Sequence, residues 1–157
     1  MTSSIVLQHN VGQLGSLRRL SAAAAATAAS TGDSTTTTGI TIDRMGFNNK
    51  SMPNSMVAAV LYEATLATGK TLSIGYAIQD SADGSNWSDY ATGTYVAVAT
   101  GATAASAVAG EYQADIDLQS ARRYVRHNFA LDLSATQTDT AVARAAGFFG
   151  GFDRLPG

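Results

Sequence analysis

Alternation of apolar and polar residues, recurring along the chain from residue 56 onward, is the feature that most restricts its fold. Leu72, Ile74, Tyr76 and Ile78 alternate with Thr71, Ser73, Gly75, Ala77 and Gln79. Tyr112, Ala114, Ile116 and Leu118 alternate with Glu111, Gln113, Asp115 and Asp117. Successive side chains of a strand point to opposite faces, so a period of two makes each stretch a strand with one buried face and one wet face. Between 56 and 66, Met56, Ala58, Val60, Tyr62, Ala64 and Leu66 share one face, and Val57, Ala59 and Leu61 make the other face apolar too. A strand apolar on both faces is covered on both. In 122–133, Val125, Phe129, Leu131 and Leu133 oppose Arg122, Tyr124, Arg126 and Asn128. Residues 140–149 form a last strand, small on one face at Ala141, Ala143, Ala145 and Gly147.

Polar turns separate these stretches: 67–70, 81–86, where Gly84 is free to take positive φ, 119–121 and 134–139. Trp87 to Tyr90 reads as a short aromatic segment, distinct from a strand near 95–99. Residues 101–110 read as an Ala/Ser loop, and the tail from Gly150 as unable to continue a central strand. Upstream, Ile40 to Asp43 alternates and the phase then slips to Met45 and Phe47, which predicts a bulge or bend near Gly46. The pattern predicts an all-β antiparallel β-sandwich of about seven or eight strands over 35–157, with a jelly roll or a barrel as the other arrangements the spacing allows.

Residues 1–34 differ. Ile5-Val6-Leu7 suits a short strand, glycines follow, and 21–30 is nearly pure Ala. Ala favours helix, but so little side chain buries too little area to hold a solitary helix. The segment reads as an extended or partly helical N-terminal arm ordered by contact with something else, or as a leader without structure of its own.

Charged residues make up 14% of the 157, well below the usual quarter, and formal net charge is −2. No excess of positive charge draws the chain to nucleic acid or to a membrane surface. A surface this poor in charge fits burial in an assembly. With no Cys, disulfides and zinc–thiolate sites are excluded. No signal-peptide pattern and no membrane-length apolar run are read, so the chain is expected to be made and kept in the cytoplasm.

Catalytic constellations are not seen. His9 and His127 stand alone, and His127 falls on the same face as Val125 and Phe129, the position of a core or interface histidine. No nucleophile elbow, phosphate loop or zinc-protease motif occurs, so the chain reads as no enzyme and needs no cofactor. Asp80, Asp83, Asn86 and Asp89 surround a Gly turn and form a weak calcium candidate without EF-hand spacing. Trp87 and Tyr90 beside them suit stacking on a sugar ring, or capping the open end of the sandwich. Arg122 and Arg126 share a face, where cross-strand ion pairs with Asp115, Asp117 or Asp132 are the simplest reading.

The run from Tyr76 to Tyr90 with its Asp-Gly-Ser turn, followed by Ser120-Ala121-Arg122-Arg123-Tyr124-Val125-Arg126 and a Gly-ended strand, resembles jelly-roll cement or decoration proteins of tailed-bacteriophage heads. The likeness covers roughly residues 55–151 and rests on a turn and a strand signature. It implies a virion structural protein on the capsid exterior, a homo-oligomer (dimer or trimer) that binds the major capsid protein and bridges capsomers. A tail or head–tail connector subunit is the alternative within that class; a carbohydrate- or calcium-binding sandwich module is the alternative outside it. Expected contact residues are Ile5, Val6 and Leu7, then Leu17, Arg18, Arg19 and Leu20, then Val57, Ala59 and Leu61, with Arg122, Arg126, Phe148 and Phe152.

Overall fold

The computed structural model describes residues 14–47, 52–134 and 138–152. The described elements are strands: β1 (Ser16–Arg19), β2 (Ala24–Thr27), β3 (Thr36–Thr37), β4 (Ile42–Asp43), β5 (Pro53–Leu66), β6 (Thr71–Ser81), β7 (Ser88–Thr100), β8 (Ser106–Asp117), β9 (Tyr124–Leu133) and β10 (Thr140–Phe152). All strand pairings are antiparallel. Sheet I runs β1-β10-β5-β8, with β2 continuing the β1 edge along β10. Sheet II runs β3-β9-β6-β7, with β4 also on β9. Counting β1 with β2 and β3 with β4 as two interrupted strands leaves two four-stranded layers with first beside last, the order of an eight-stranded jelly roll.

The alternation read from the sequence sets which faces meet. Met56, Ala58, Val60 and Leu66 of β5, with Ala141, Ala143, Ala145 and Phe149 of β10, point inward from sheet I. Leu72, Ile74 and Ile78 of β6, with Val125, Phe129, Leu131 and Leu133 of β9, answer from sheet II. Small residues on β10 let the layers approach, and Phe47 fills the end of the core against Phe149, ring centres 5.0 Å apart.

Residues 16–28 do not stand apart from this sandwich. Both β1 and β2 pair with β10, Leu20 is 1% exposed in the core, and Ala26 and Ala28 are buried beside it. The backbone N–H of Ala145 donates to Ser21 Oγ at 2.8 Å, and the Leu20 and Ser21 N–H groups donate to the Ala145 carbonyl. The Ala run is therefore extended, not helical. Ala side chains fit under the roll, and pairing with β10 outweighs helix propensity. The division drawn at residue 34 falls inside the roll, and Leu20 is a core residue, not a surface one.

Three further expectations change. Residues 88–90 of the aromatic segment and the strand near 95–99 belong to one strand, β7, whose register against β6 shifts in three places. The Ala/Ser loop shrinks to 101–105, because Ala107, Val108 and Ala109 pair with Thr65, Ala64 and Glu63 of β5. β10 continues past Gly150: Gly151 takes φ +66, and Phe152 still pairs with Pro53 and packs on Phe47 at 5.7 Å. The phase slip after Asp43 is a turn, with Gly46 N–H donating to the Asp43 carbonyl at 2.9 Å.

That turn carries Arg44 into the interior. Its side chain is 1% exposed and donates to four backbone carbonyls: Ala121 and Arg122 through Nη1, Pro53 (2.7 Å) and Leu118 (2.7 Å) through Nη2. No carboxylate forms an ion pair with it among the described residues. One guanidinium thus ties the 43–47 turn, the start of β5 and the 118–122 turn together at one end of the roll.

Candidate functional site: the outer face of sheet I

The turn singled out for calcium is built to satisfy itself. Asp83 accepts from the N–H groups of Ser85 and Asn86 (2.8 Å each), from Asn86 Nδ2 (2.7 Å) and from Ser81 Oγ (2.9 Å). These donors hold its carboxyl well below the usual carboxylate range. Asp80 is buried and accepts the Arg122 N–H at 2.8 Å, with the Arg122 guanidinium 3.6 Å away. Asp89 accepts from Gln79 Nε2 at 2.7 Å. Asp83 and Asn86 are thus together, while Asp80 and Asp89 are committed elsewhere. No cluster of three His, Asp or Glu suited to a metal occurs among the described residues. The expected result in a thermal melt is that neither calcium nor a chelator moves the midpoint. A rise with calcium that the chelator reverses would restore the metal reading.

Trp87 is half-buried under the Arg126 guanidinium, 4.2 Å from its ring centre, so its open face is taken by a cation. Arg126 Nε also donates to Gln79 Oε1 at 2.8 Å. Tyr90 donates to the Asp117 carbonyl at 2.8 Å and spans the gap between the sheets. Tyr90 thus caps an end of the roll, and Trp87 lies against Arg126 of β9. The arginines find acids, but not those expected: Arg122 pairs with Asp80, and Arg123 with Asp43 at 2.7 Å. Asp115 and Asp117 lie on β8 in the opposite sheet, out of reach. Arg122 and Arg126 are therefore engaged within the chain. Arg18 lies over Phe47 (4.8 Å), and Phe152 belongs to the core edge beside it.

His127 is 2% exposed, sandwiched between Tyr76 and Phe129 rings at 5.9 and 6.1 Å. Its Nδ1 has no hydrogen-bond partner among the described residues, and burial pushes its pKa down to about 4. It is a neutral core histidine at neutral pH.

The remaining expected contact residues come together. Leu17 pairs with Phe148, Phe148 with Val57, and Val57 with Asp115, so one row crosses sheet I from edge to edge. The next rows are Arg19–Ala146–Ala59–Gln113 and Arg144–Leu61–Glu111. All point away from the core. Leu17, Leu61 and Val142 are 67%, 51% and 45% exposed, a concentration of apolar surface on one flat face. Shallow depressions run along it, one beside Val57 and Phe148, others beside Glu63 and Val142. Ile5, Val6 and Leu7 lie outside the described residues.

No protein-family model matches the chain, and no curated protein matches it. Solved structures do. The T13 viral particle of infectious bursal disease virus superposes with TM-score 0.51 at 13% identity, over 87% of this chain and 31% of that one. The PBSX exported protein XepA gives TM-score 0.48 at 16% identity, over 90% and 39%. A VP2 subviral particle of infectious bursal disease virus gives 0.48 at 13%, over 86% and 32%. The chain thus spans about a third of the length of the structures it resembles. At these identities the likeness concerns the fold, a β-sandwich also built into the first of these, a virus particle.

Proposed function

We propose that this chain is a virion structural protein, a cement protein that binds the outside of a phage head and bridges capsomers. The observation that carries the reading is the convergence of Leu17, Val57, Ala59, Leu61 and Phe148 on one exposed apolar face of a jelly roll. The polar groups that looked chemical in the sequence are consumed by the fold: Asp83 by its own turn, Asp80 by Arg122, His127 by the core. The broad contact face of sheet I, together with polar groups engaged by the fold among the described residues, supports a role in binding other protein surfaces. The fold shared with a capsid-particle protein supports the same reading. Under it the chain is no enzyme, requires no cofactor, and works with copies of itself and the major capsid protein.

The reach to the shell is assigned to residues 1–13, and the face of sheet I to contact between subunits. The assignment is tested by cosedimentation with expanded capsid shells of the virus that encodes the chain. The full chain is expected to pellet with shells. A variant lacking residues 1–13 is expected to melt at the same temperature and to bind shells at least tenfold more weakly. Equal binding by that variant would remove the arm from the account, and no binding by the full chain would remove the cement role. A larger deletion to residue 34 would be uninformative, since it takes β1, β2 and Leu20 from the roll.

A further inference from the structure

The outer face of sheet I is divided by charge. On its β1–β10 half the outward-pointing charged residues are Arg19 and Arg144, both basic. On its β5–β8 half they are Glu63, Glu111, Asp115 and Asp117, all acidic. Between them runs the apolar band of Phe148, Val57, Ala146, Ala59 and Leu61. Arg19, Arg144, Glu63 and Glu111 join neither of the ion pairs formed among the described residues. Basic residues on one half of a surface and acidic residues on the other, beside a shared apolar band, are the pattern of a surface that fits its own copy.

We infer that this face is an isologous dimer interface, with two copies stacked face to face about a twofold axis parallel to the strands, between β10 and β5. The inference takes the contact face from the functional reading above and names its occupant as a second copy of the chain. Such an axis lays the β10 half of one copy on the β5 half of its partner. Arg144 then falls opposite Leu61 of the partner subunit, within reach of Glu63 of the partner subunit and Glu111 of the partner subunit. Arg19 falls among Gln113 of the partner subunit and Asp115 of the partner subunit. Phe148 covers Val57 of the partner subunit, and Ala59 meets Ala146 of the partner subunit. Each contact occurs twice. An axis running across the strands does the opposite: it sets each strand on its own copy, basic on basic and acidic on acidic. Charge therefore selects one stacking direction.

The area suffices. β5 has 14 residues. At roughly 3.3 Å per residue and about 4.8 Å between strands, β5 with the 13 residues of β10, the 12 of β8 and the four each of β1 and β2 presents on the order of 750 Å². That is about what each partner buries in a stable, specific complex. Sheets stacked this way pack about 10 Å apart, and the small Ala25, Ala59, Ala107, Ala109 and Ala146 allow that approach.

The test is sedimentation velocity on the full chain and two charge-reversed variants, with circular dichroism to establish that each is folded. The wild type is expected at twice the chain mass. Arg144→Glu places acid on acid, and Glu63→Arg combined with Glu111→Arg places base on base. Each variant by itself is expected to weaken dimerisation by roughly 100-fold or more, because like charges meet at both symmetric contacts. Mixed in equal amounts, the two variants are expected to recover the dimer, since acid then faces base at both contacts. A monomeric wild type, variants that stay dimeric, or weakened variants that do not recover on mixing would each overturn the interface. Shell binding reports separately: a monomer that still coats shells sinks the dimer and keeps the cement role, and a dimer that ignores shells does the reverse.

Discussion

Arg44→Met is expected to destabilise the protein by roughly 3–5 kcal/mol, the cost of breaking a buried, hydrogen-bonded charged group from one side. Met matches the length of the Arg stem but donates nothing. The carbonyls of Ala121, Arg122, Pro53 and Leu118 would lose a shared donor in a place water does not reach. For a chain of this size the midpoint of thermal unfolding should fall by about 10 °C. Arg44→Lys should recover only part of the loss, because one ammonium does not span four acceptors as a planar fork does. Denaturant unfolding measures both, and an unchanged slope would show that the folded state itself has lost stability. Wild-type stability in Arg44→Met would mean that the guanidinium does not hold the 43–47 and 118–122 turns.

The second large effect is a loss of stability on acidification, carried by His127. Its folded-state pKa of about 4 lies below the ordinary 6.5. Between those values the unfolded chain binds a proton that the folded chain refuses. Stability therefore rises with pH across the window, and it falls as pH drops from 6.5 toward 4. The gap between the two values corresponds to roughly 3 kcal/mol. The cause is burial between Tyr76 and Phe129 with no acid to accept a charge. His127→Phe removes the proton-binding group and should flatten the stability profile between pH 6.5 and 4, whatever it does to stability at pH 7. An equal slope in both proteins would mean that the imidazole is charged in the fold. Below that window Asp43 and Asp83 act in the same direction, because both carboxyls are held below their usual range.

The inward faces of β5, β6, β9 and β10 are legible in the sequence because alternation is a local property that survives without knowledge of the partner strand. The first strand of the roll is not. Ala24, Ala25 and Ala26 have a helical propensity and no alternation to contradict it, and only the neighbouring β10 makes them extended. β7 and β8 read too short for a related reason: the stretch between Tyr90 and Tyr95 and the Ala/Ser-rich 101–110 carry no alternation of their own, and only pairing with β6 and β5 makes them strand. Partners are harder to read than positions. Arg126 lies on the outer face of β9 and Arg122 in the turn before it, and their partners come from β6 and not from the Asp residues expected, since sequence distance says little about sheet order. Arg44 leaves no trace in the sequence at all, because caging by carbonyls requires no particular side chain on the other side.

The outer face of sheet I shows the reverse. Val57, Ala59, Leu61 and Phe148 each stand out on local grounds, as apolar residues on the second face of strands already covered on the first, and Leu17 joins them only through the pairing of β1 with β10. Their assembly into adjacent rows is a product of register, and so is the separation of Arg19 and Arg144 from the acids of β5 and β8. Register converts a set of scattered residues into a surface with direction.

Cryo-electron microscopy of expanded capsid shells incubated with the full chain decides whether it is a cement protein. Density for the jelly roll is expected on the shell exterior, where capsomers meet, with sheet I of one copy stacked on sheet I of a second. Bare shells, or density confined to the tail or the head–tail junction, would contradict that role.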